Sequence, residues 1–189
     1  RPDVVLHAAA LKHVPMSERN PGEAARTNII GTVNTIEMSQ QHGASVVALI
    51  STDKAVNPGN VMGATKRAAE LYALAAAPRS PTTRGCVVRF GNVLGSTGSV
   101  VPLFERQIEA GEPVKVTDAE ATRYFMTVEE ASGLVLDAAA QTAAAPALNG
   151  ALYVLDMGRP VSIMLLALQL LRLRGRCPDA TGAIRGVGL

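Results

Sequence analysis

The chain has no tryptophan and only three tyrosines and three phenylalanines in 189 residues. An aromatic share of 3% leaves no platform for stacking bases, and a net charge of +2 is too small to track a phosphate backbone. Both scarcities exclude nucleic acid as a partner. The two cysteines, Cys86 and Cys177, have neither metal-ligand spacing nor a disulfide framework, which points to a reducing compartment and to no metal. No apolar run reaches the roughly 18 residues of a membrane span. The longest, Ile163 to Leu171, is interrupted by Gln169 and runs into Arg172 and Arg174, as a core-facing helix would. Arg1-Pro2-Asp3 leads straight into a strand with no signal peptide, so the chain as given reads as cytoplasmic. A glycine fingerprint is missing too. No G-x-G-x-x-G lies between a strand and a helix; Gly95-Ser-Thr-Gly98 comes late and has the wrong spacing, and no Gly-Lys-Ser/Thr closes a Walker loop.

What is present is an apolar share of 48% against 18% charged, enough for one domain with a small appendage and a buried core. Strands alternate with helices, which predicts an α/β fold with a doubly wound parallel sheet. Val4 to Leu6 is a strand ending in His7-Ala-Ala-Ala10, followed by a helix from about Pro21 to Gln41 that Gly43 stops. Val46 to Ile50 is a second strand, then a helix covers Val61 to Ala77 and a third strand Cys86 to Phe90. Gly91 to Gly98 reads as a loop, Val101 to Ala110 as helix and Val114 to Val116 as a short strand. A helix over Val128 to Gln141, capped by Thr127, a strand over Ala151 to Asp156 and a helix over Ser162 to Arg174 complete the pattern.

The chemistry-bearing residues cluster at strand ends, where open parallel sheets bind ligands. Ser51-Thr-Asp-Lys54 stands at the end of the second strand, and the next helix places Met62 and Lys66 on one face. Asp53 and Lys54 are adjacent and cannot point the same way on a regular strand, but at its end the pleat is lost and both can reach one pocket. Ala8 and Ala9 are small enough for a ligand's backbone to approach, with Lys12 near for a diphosphate. Asn92, in Arg89-Phe-Gly-Asn-Val93, can hydrogen-bond a sugar or phosphate, and Arg123 suits diphosphate oxygens as a planar clamp. Each has a plain alternative: a surface ion pair, a solvated lysine, core filler for Met62, an ordinary loop. His13 and His42 have no partners at ligand spacing and read as structural.

Together these segments resemble the UDP-N-acetylglucosamine 4,6-dehydratases, extended short-chain dehydrogenase/reductases of bacterial polysaccharide and glycan synthesis with a Rossmann-like fold. The segments are Ala8-Ala-Ala-x-Lys-His-Val-Pro15, Ser51-Thr-Asp-Lys-Ala-Val-Asn-Pro58, Asn60-Val-Met-Gly-Ala-Thr-Lys66, Arg89 to Ser96, Gly98 to Pro102 and Thr122-Arg-Tyr-Phe-Met-Thr127. The resemblance runs from Arg1 to about Arg174. It implies NADP or NAD as cofactor, a UDP-sugar as substrate, Lys54 as the base at sugar C5 and Asp53 as the acid to the C6 oxygen. That chemistry needs Lys54 partly neutral and Asp53 protonated at the moment of elimination. It further implies cofactor contacts from Ala8, Ala9, Ser51, Lys66 and Val93, and substrate contacts from Lys12, Asn92, Thr117 and Arg123.

Two departures stand out. Met62 occupies the position where many relatives carry tyrosine, and a thioether moves no proton; Thr52, or a water it orders, is then the candidate relay for the C4 hydroxyl proton. The chain also reads as cut at both ends, lacking its first strands and glycine-rich turn and, after Asp179, the Arg-Pro-Gly-Glu-Lys motif of the usual tail. On this reading residues 1–112 are the later part of a dinucleotide-binding domain, and 113–189 hold substrate-binding segments and the last core helices. The full-length form is expected to be a homo-oligomer, cytoplasmic or anchored to the inner membrane, while the fragment is expected to be inactive or nearly so. The alternatives are a UDP-sugar 4-epimerase or reductase, against which Asp53, Lys54 and Met62 speak, and a non-catalytic remnant.

Overall fold

The computed structural model describes residues 1–96, 99–176 and 183–186. In chain order the strands are β1 (Val4–His7), β2 (Val46–Thr52), β3 (Arg84–Phe90), β4 (Asn92–Val93), β5 (Val114–Val116), β6 (Thr122–Arg123), β7 (Phe125–Met126), β8 (Ala151–Val154), β9 (Val161–Ser162) and β10 (Ile184–Gly186). The helices are α1 (Val14–Arg19), α2 (Pro21–Ala25), α3 (Gly31–Gln41), α4 (Val61–Ala76), α5 (Val100–Glu109), α6 (Val128–Ala144) and α7 (Ile163–Leu173). None is long and apolar enough to cross a membrane among the described residues.

Two compact units emerge, and the chain passes between them more than once. The first comprises Arg1–Phe90 with Glu129–Asp156, the second Gly91–Val128 with Met157–Leu189. This interleaving differs from the single boundary at residue 112 that the linear reading suggests. The reason is topological: β8 returns to the first unit's sheet beside β3 after the whole of β4 to β7.

The first unit is built on a parallel sheet in the order β1-β2-β3-β8, with Val4 opposite Val46, Leu49 opposite both His7 and Val87, and Cys86 opposite Ala151. β2 is buried on both faces, so its sequence is a continuous apolar run rather than an alternation. Val47 and Leu49 pack with Ile36 of α3 and Ala69, Ala73 and Ala76 of α4. Val46 and Ala48 pack on the other face with Val135, Ala138 and Ala139 of α6. Helices cover both faces, as the doubly wound reading requires. β1 is the edge strand, and its Val4 and Leu6 are 49% and 43% exposed.

The expected single helix over residues 21–41 is α2 and α3 joined by a π-helical turn, Arg26–Ile30. The extra residue in that turn accompanies an inward Asn28, which is 1% exposed. Helix α1, set by Pro15 in its first turn, had no periodic signal in so short a segment. Strand β3 starts two residues earlier than its apolar run, at Arg84, because Arg84 and Gly85 pair with Val46 and Val47.

In the second unit α5, β5 and α7 share a core of Phe104, Ile108, Val114, Val116, Ile163, Ala167 and Leu171. Ser162 caps α7, accepting from the Leu165 amide, and β10 pairs with β5 in parallel. The presumed loop after β3 contains β4, which pairs with β7. Cys177, Thr97-Gly98 and most of the tail from Asp179 lie outside the described residues.

Candidate active site

The C-terminal end of β2 carries the site. Thr52 ends the strand, and Asp53–Ala55 form one 3-10 turn in which the pleat is lost, as expected. Thr52 Oγ1 donates to Asp53 Oδ1 at 2.9 Å and accepts from the Lys54 amide at 3.3 Å. Lys54 Nζ lies 3.1 Å from the same Asp53 oxygen, with the two side chains 34% and 41% exposed respectively. The adjacent carboxylate and amine therefore face each other.

Helix α4 is fastened to that turn. Asn60 caps it by accepting from the Gly63 amide at 2.8 Å, and Glu18 of α1 accepts from the Val61 amide at 2.7 Å, satisfying two of the orphan donors of the first helical turn. Gly63 rests directly on the Lys54 carbonyl, and a Cβ there would overlap that oxygen. Glycine is thus what lets α4 approach the Asp53-Lys54 turn. One turn further, Lys66 is 5% exposed and Met62 3%. Lys66 Nζ donates to the Ile50 carbonyl at 2.7 Å. Burial lowers the Lys66 ammonium to about 8, against the raising influence of the Glu70 carboxylate. A lysine on an amphipathic helix is ordinarily solvated; here the sheet covers it.

Beneath Lys66, Glu70 is fully buried. Its carboxylate accepts from Ser51 Oγ at 2.6 Å, from Arg89 Nε at 2.7 Å and Nη2 at 2.5 Å, and from Arg67 Nη1 at 3.0 Å. Burial pushes this carboxyl up, but the hydrogen bonds from Arg89, Ser51 and Arg67 together hold it below its ordinary value. Ser51 spends its proton on Glu70 and is 4% exposed, so it braces the strand end from the α4 side.

A second buried chain runs from β1. His7 Nε2 meets Thr32 Oγ1 at 3.0 Å, and Thr32 donates to the Asn28 carbonyl at 2.7 Å. The Asn28 side chain accepts from the Leu11 amide at 2.8 Å and donates to the Leu11 carbonyl at 3.0 Å and to Thr65 Oγ1 at 2.9 Å. Asn28 thus ties the segment after β1, where Ala8 and Ala9 lie exposed, to the residue next to Lys66. His7 is held below its ordinary value by burial and then by Lys66.

Of the residues expected from sequence, Ala8, Ala9, Lys12, Ser51, Thr52, Asp53, Lys54, Met62 and Lys66 fall in the first unit, at or near the carboxyl ends of β1 and β2. Asn92, Val93, Thr117 and Arg123 fall in the second unit. There Asn92 donates its amide to the Tyr124 carbonyl, Val93 pairs with Met126, Thr117 is exposed just after β5, and Arg123 is exposed with its guanidinium on the Thr122 carbonyl. Glu70, Asn28, Thr32 and His7 escaped the sequence reading. The one signal for Glu70 was a carboxylate one helical turn after Lys66; Asn28 had only its low helix propensity in mid-helix.

A parallel sheet clad by helices on both faces, with polar residues gathered at its strand ends, is the Rossmann-like fold of extended short-chain dehydrogenase/reductases. Within that class the chain belongs to the family described as polysaccharide biosynthesis protein, which matches residues 1–189. It is 54% identical over 182 residues to the capsular polysaccharide biosynthesis protein CapD of Staphylococcus aureus, covering 96% of this chain and 30% of that protein. It is 44% identical over 137 residues to a UDP-N-acetylglucosamine 4,6-dehydratase (inverting) of Campylobacter jejuni, covering 71% of this chain and 41% of the relative. At 45% identity over 136 residues it is equally similar to a UDP-glucose 4-epimerase of Rickettsia typhi, with 71% and 40% covered. The X-ray structure of Pen from Bacillus thuringiensis superposes with a TM-score of 0.89 at 36% identity, over 99% of this chain and 57% of that one. The chain therefore spans between about a third and three fifths of these proteins.

Proposed function

We propose that the chain is part of a nucleotide-sugar 4,6-dehydratase, a lyase that converts UDP-N-acetylglucosamine or a related UDP-sugar to the 4-keto-6-deoxy sugar. The observation that carries this reading is the Asp53–Lys54 contact at the end of β2, 3.1 Å between Nζ and Oδ1. An ammonium–carboxylate pair holds the same protons as a neutral amine beside a carboxylic acid. Burying such a pair under a ligand removes the water that favours the charged form, and one proton crossing the contact then yields a base and an acid side by side. Those are the two groups an elimination needs. Lys54 takes the proton from C5, and Asp53 delivers one to the departing C6 oxygen, which leaves as water.

For NADP or NAD, Ala8 and Ala9 offer exposed small side chains at the end of β1; Ser51, Lys66 and Val93 are assigned to it by the resemblance, although Ser51 and Lys66 are buried with their polar atoms on Glu70 and on the Ile50 carbonyl. When bound, that group supplies the hydride exchange between C4 and C6, so the sum has no net redox. The residues' own tasks are separate. Thr52, whose hydroxyl touches Asp53, relays the C4 hydroxyl proton that Met62 cannot accept, and Lys66 keeps a cation beneath the site. Lys12, Asn92, Thr117 and Arg123 are assigned to the UDP-sugar, and the full-length protein to a homo-oligomer.

A second reading is supported by the epimerase-named relative at 45% identity: inversion at C4 with no loss of water. Mass spectrometry of UDP-N-acetylglucosamine incubated in heavy water with the chain and NADP or NAD separates the two. A product lighter by one water and carrying deuterium at C5 would support the dehydratase and overturn the expectation that the chain alone is inactive. A C4 isomer of unchanged mass would replace the dehydratase by the epimerase; unconverted substrate fits the expected inactivity of the chain alone, and the same assay on an upstream-extended protein then separates enzyme from non-catalytic remnant.

A further inference from the structure

The Glu70 cluster is the most fully connected buried polar group of the first unit, and the chemistry above makes no use of it. Glu70 stands one turn after Lys66 on α4, with no exposed side-chain surface. Its four hydrogen bonds come from three elements: Arg67 on α4, Ser51 at the end of β2 and Arg89 at the end of β3. Ser51 directly precedes Thr52-Asp53-Lys54, so whatever fixes Ser51 fixes the start of the reactive turn.

We propose that Glu70 is a positioning residue of the reaction site, whose carboxylate pins the ends of β2 and β3 to α4 and is the counter-charge of Lys66. The assignment rests on the dehydratase reading only for the identity of the reaction. Lys66 and Glu70 are both buried and stand one turn apart on the same face of α4, with His7 of β1 close enough to feel the Lys66 charge and Arg67 and Arg89 bound to the Glu70 carboxylate; of these groups only Glu70 raises the Lys66 ammonium. His7 is held toward its neutral form, which leaves Glu70 as the compensating charge. Arg89 and Arg67 in turn keep Glu70 ionised. The order of effect runs from the two arginines through Glu70 to Lys66, while Ser51 carries the same carboxylate's grip to the turn.

The chain has four lysines, Lys12, Lys54, Lys66 and Lys115, so lysine-selective carbon-13 labelling gives a readily assigned spectrum. Titrating the Lys66 side chain by NMR is expected to give a midpoint of about 8 in the wild type. Glu70→Gln keeps the shape and removes the charge, and should lower that midpoint by roughly one pH unit. Glu70→Asp keeps the charge and should restore it, which a purely space-filling role would not do. Should the single Gln variant fail to fold, the double variant Glu70→Gln/Arg89→Met is read against Arg89→Met alone, so that only the Glu70 charge differs between the two. A Lys66 midpoint unmoved by loss of the Glu70 charge overturns the proposal. Sugar conversion, scored separately, bears only on the dehydratase reading; coupling between Glu70 and Lys66 in a chain that converts nothing would leave this assignment standing.

Discussion

Lys66 and Ile50 are joined by a 2.7 Å hydrogen bond from ammonium to backbone carbonyl, just beyond the last residue pair of β1 and β2. Where the ladder to β1 stops, a side chain from α4 supplies a donor to the strand. That contact holds the amine under the sheet, and it is the burial there, not the hydrogen bond, that makes it lose its proton more readily than a solvated lysine.

The pH dependence of stability follows from it. The folded value of about 8 lies below the ordinary 10.5, so between these limits the unfolded chain holds a proton that the folded chain has released. Stability contributed at this site therefore rises with pH from about 8 to 10.5, and the cost of the buried ammonium is fully present below about 8. Urea unfolding of wild type and Lys66→Met should show their difference moving toward the wild type by up to about 1.4 kcal/mol per pH unit in that window. A difference that stays flat would show that Lys66 keeps its proton.

Gly63 is the next pressure point. Because its missing Cβ leaves room for the backbone oxygen of Lys54, Gly63→Ala must push α4 off the Asp53-Lys54 turn. The expected loss is about 1–3 kcal/mol in chemical denaturation, despite alanine's better helix propensity. A stabilised variant would mean that the turn yields freely.

Asn28→Ala removes the partner of both the Leu11 amide and the Leu11 carbonyl. Leaving buried donors and acceptors unsatisfied costs about 1–3 kcal/mol. Hydrogen exchange should quicken at the Leu11 amide while the β2–β3 amides keep their protection at equal distance from global unfolding. Uniform loss across the sheet would place Asn28 in the global core instead.

At the reactive turn, Thr52→Val and Lys54→Met separate two proton transfers. If the chain converts sugar, each should lose about 10²-fold or more in rate. Lys54→Met should also abolish deuterium uptake at C5, whereas Thr52→Val should slow it only as far as the first step is slowed. Full activity of Thr52→Val rejects the relay assigned to Thr52.

The β1 edge predicts self-association. Val4 and Leu6 are half exposed on a strand that, among the described residues, pairs with β2 alone. Sedimentation velocity should show larger species for the wild type as concentration rises, and Leu6→Lys should shift the distribution toward the monomer.

The fold class was legible because a parallel sheet covered on both faces writes itself into the chain as short apolar runs such as Val46 to Ile50, separated by helical segments. The Ser51 to Lys66 segment was legible for a related reason: its residues are close in sequence, and local spacing places them at one strand end and on one helix face. The interleaving of the two units was not, because strand order is set by pairing across the chain, and no local pattern tells β8 to return beside β3. Burial of Lys66 was equally hidden. Sequence spacing puts a lysine on a helix face, but only the packing of that helix against β2 decides that the face is dry.

Propensity, apolar period and capping act over a few residues, so they fix which elements form and which reactive side chains those elements carry. Long-range packing then sets which of those side chains are charged, paired or buried. Glu70 is the clearest case. As a residue it is an ordinary glutamate on an amphipathic helix; it became the hub of a buried ionic cluster because folding brought Ser51 and Arg89, 19 residues away on either side, within hydrogen-bonding distance of one carboxylate.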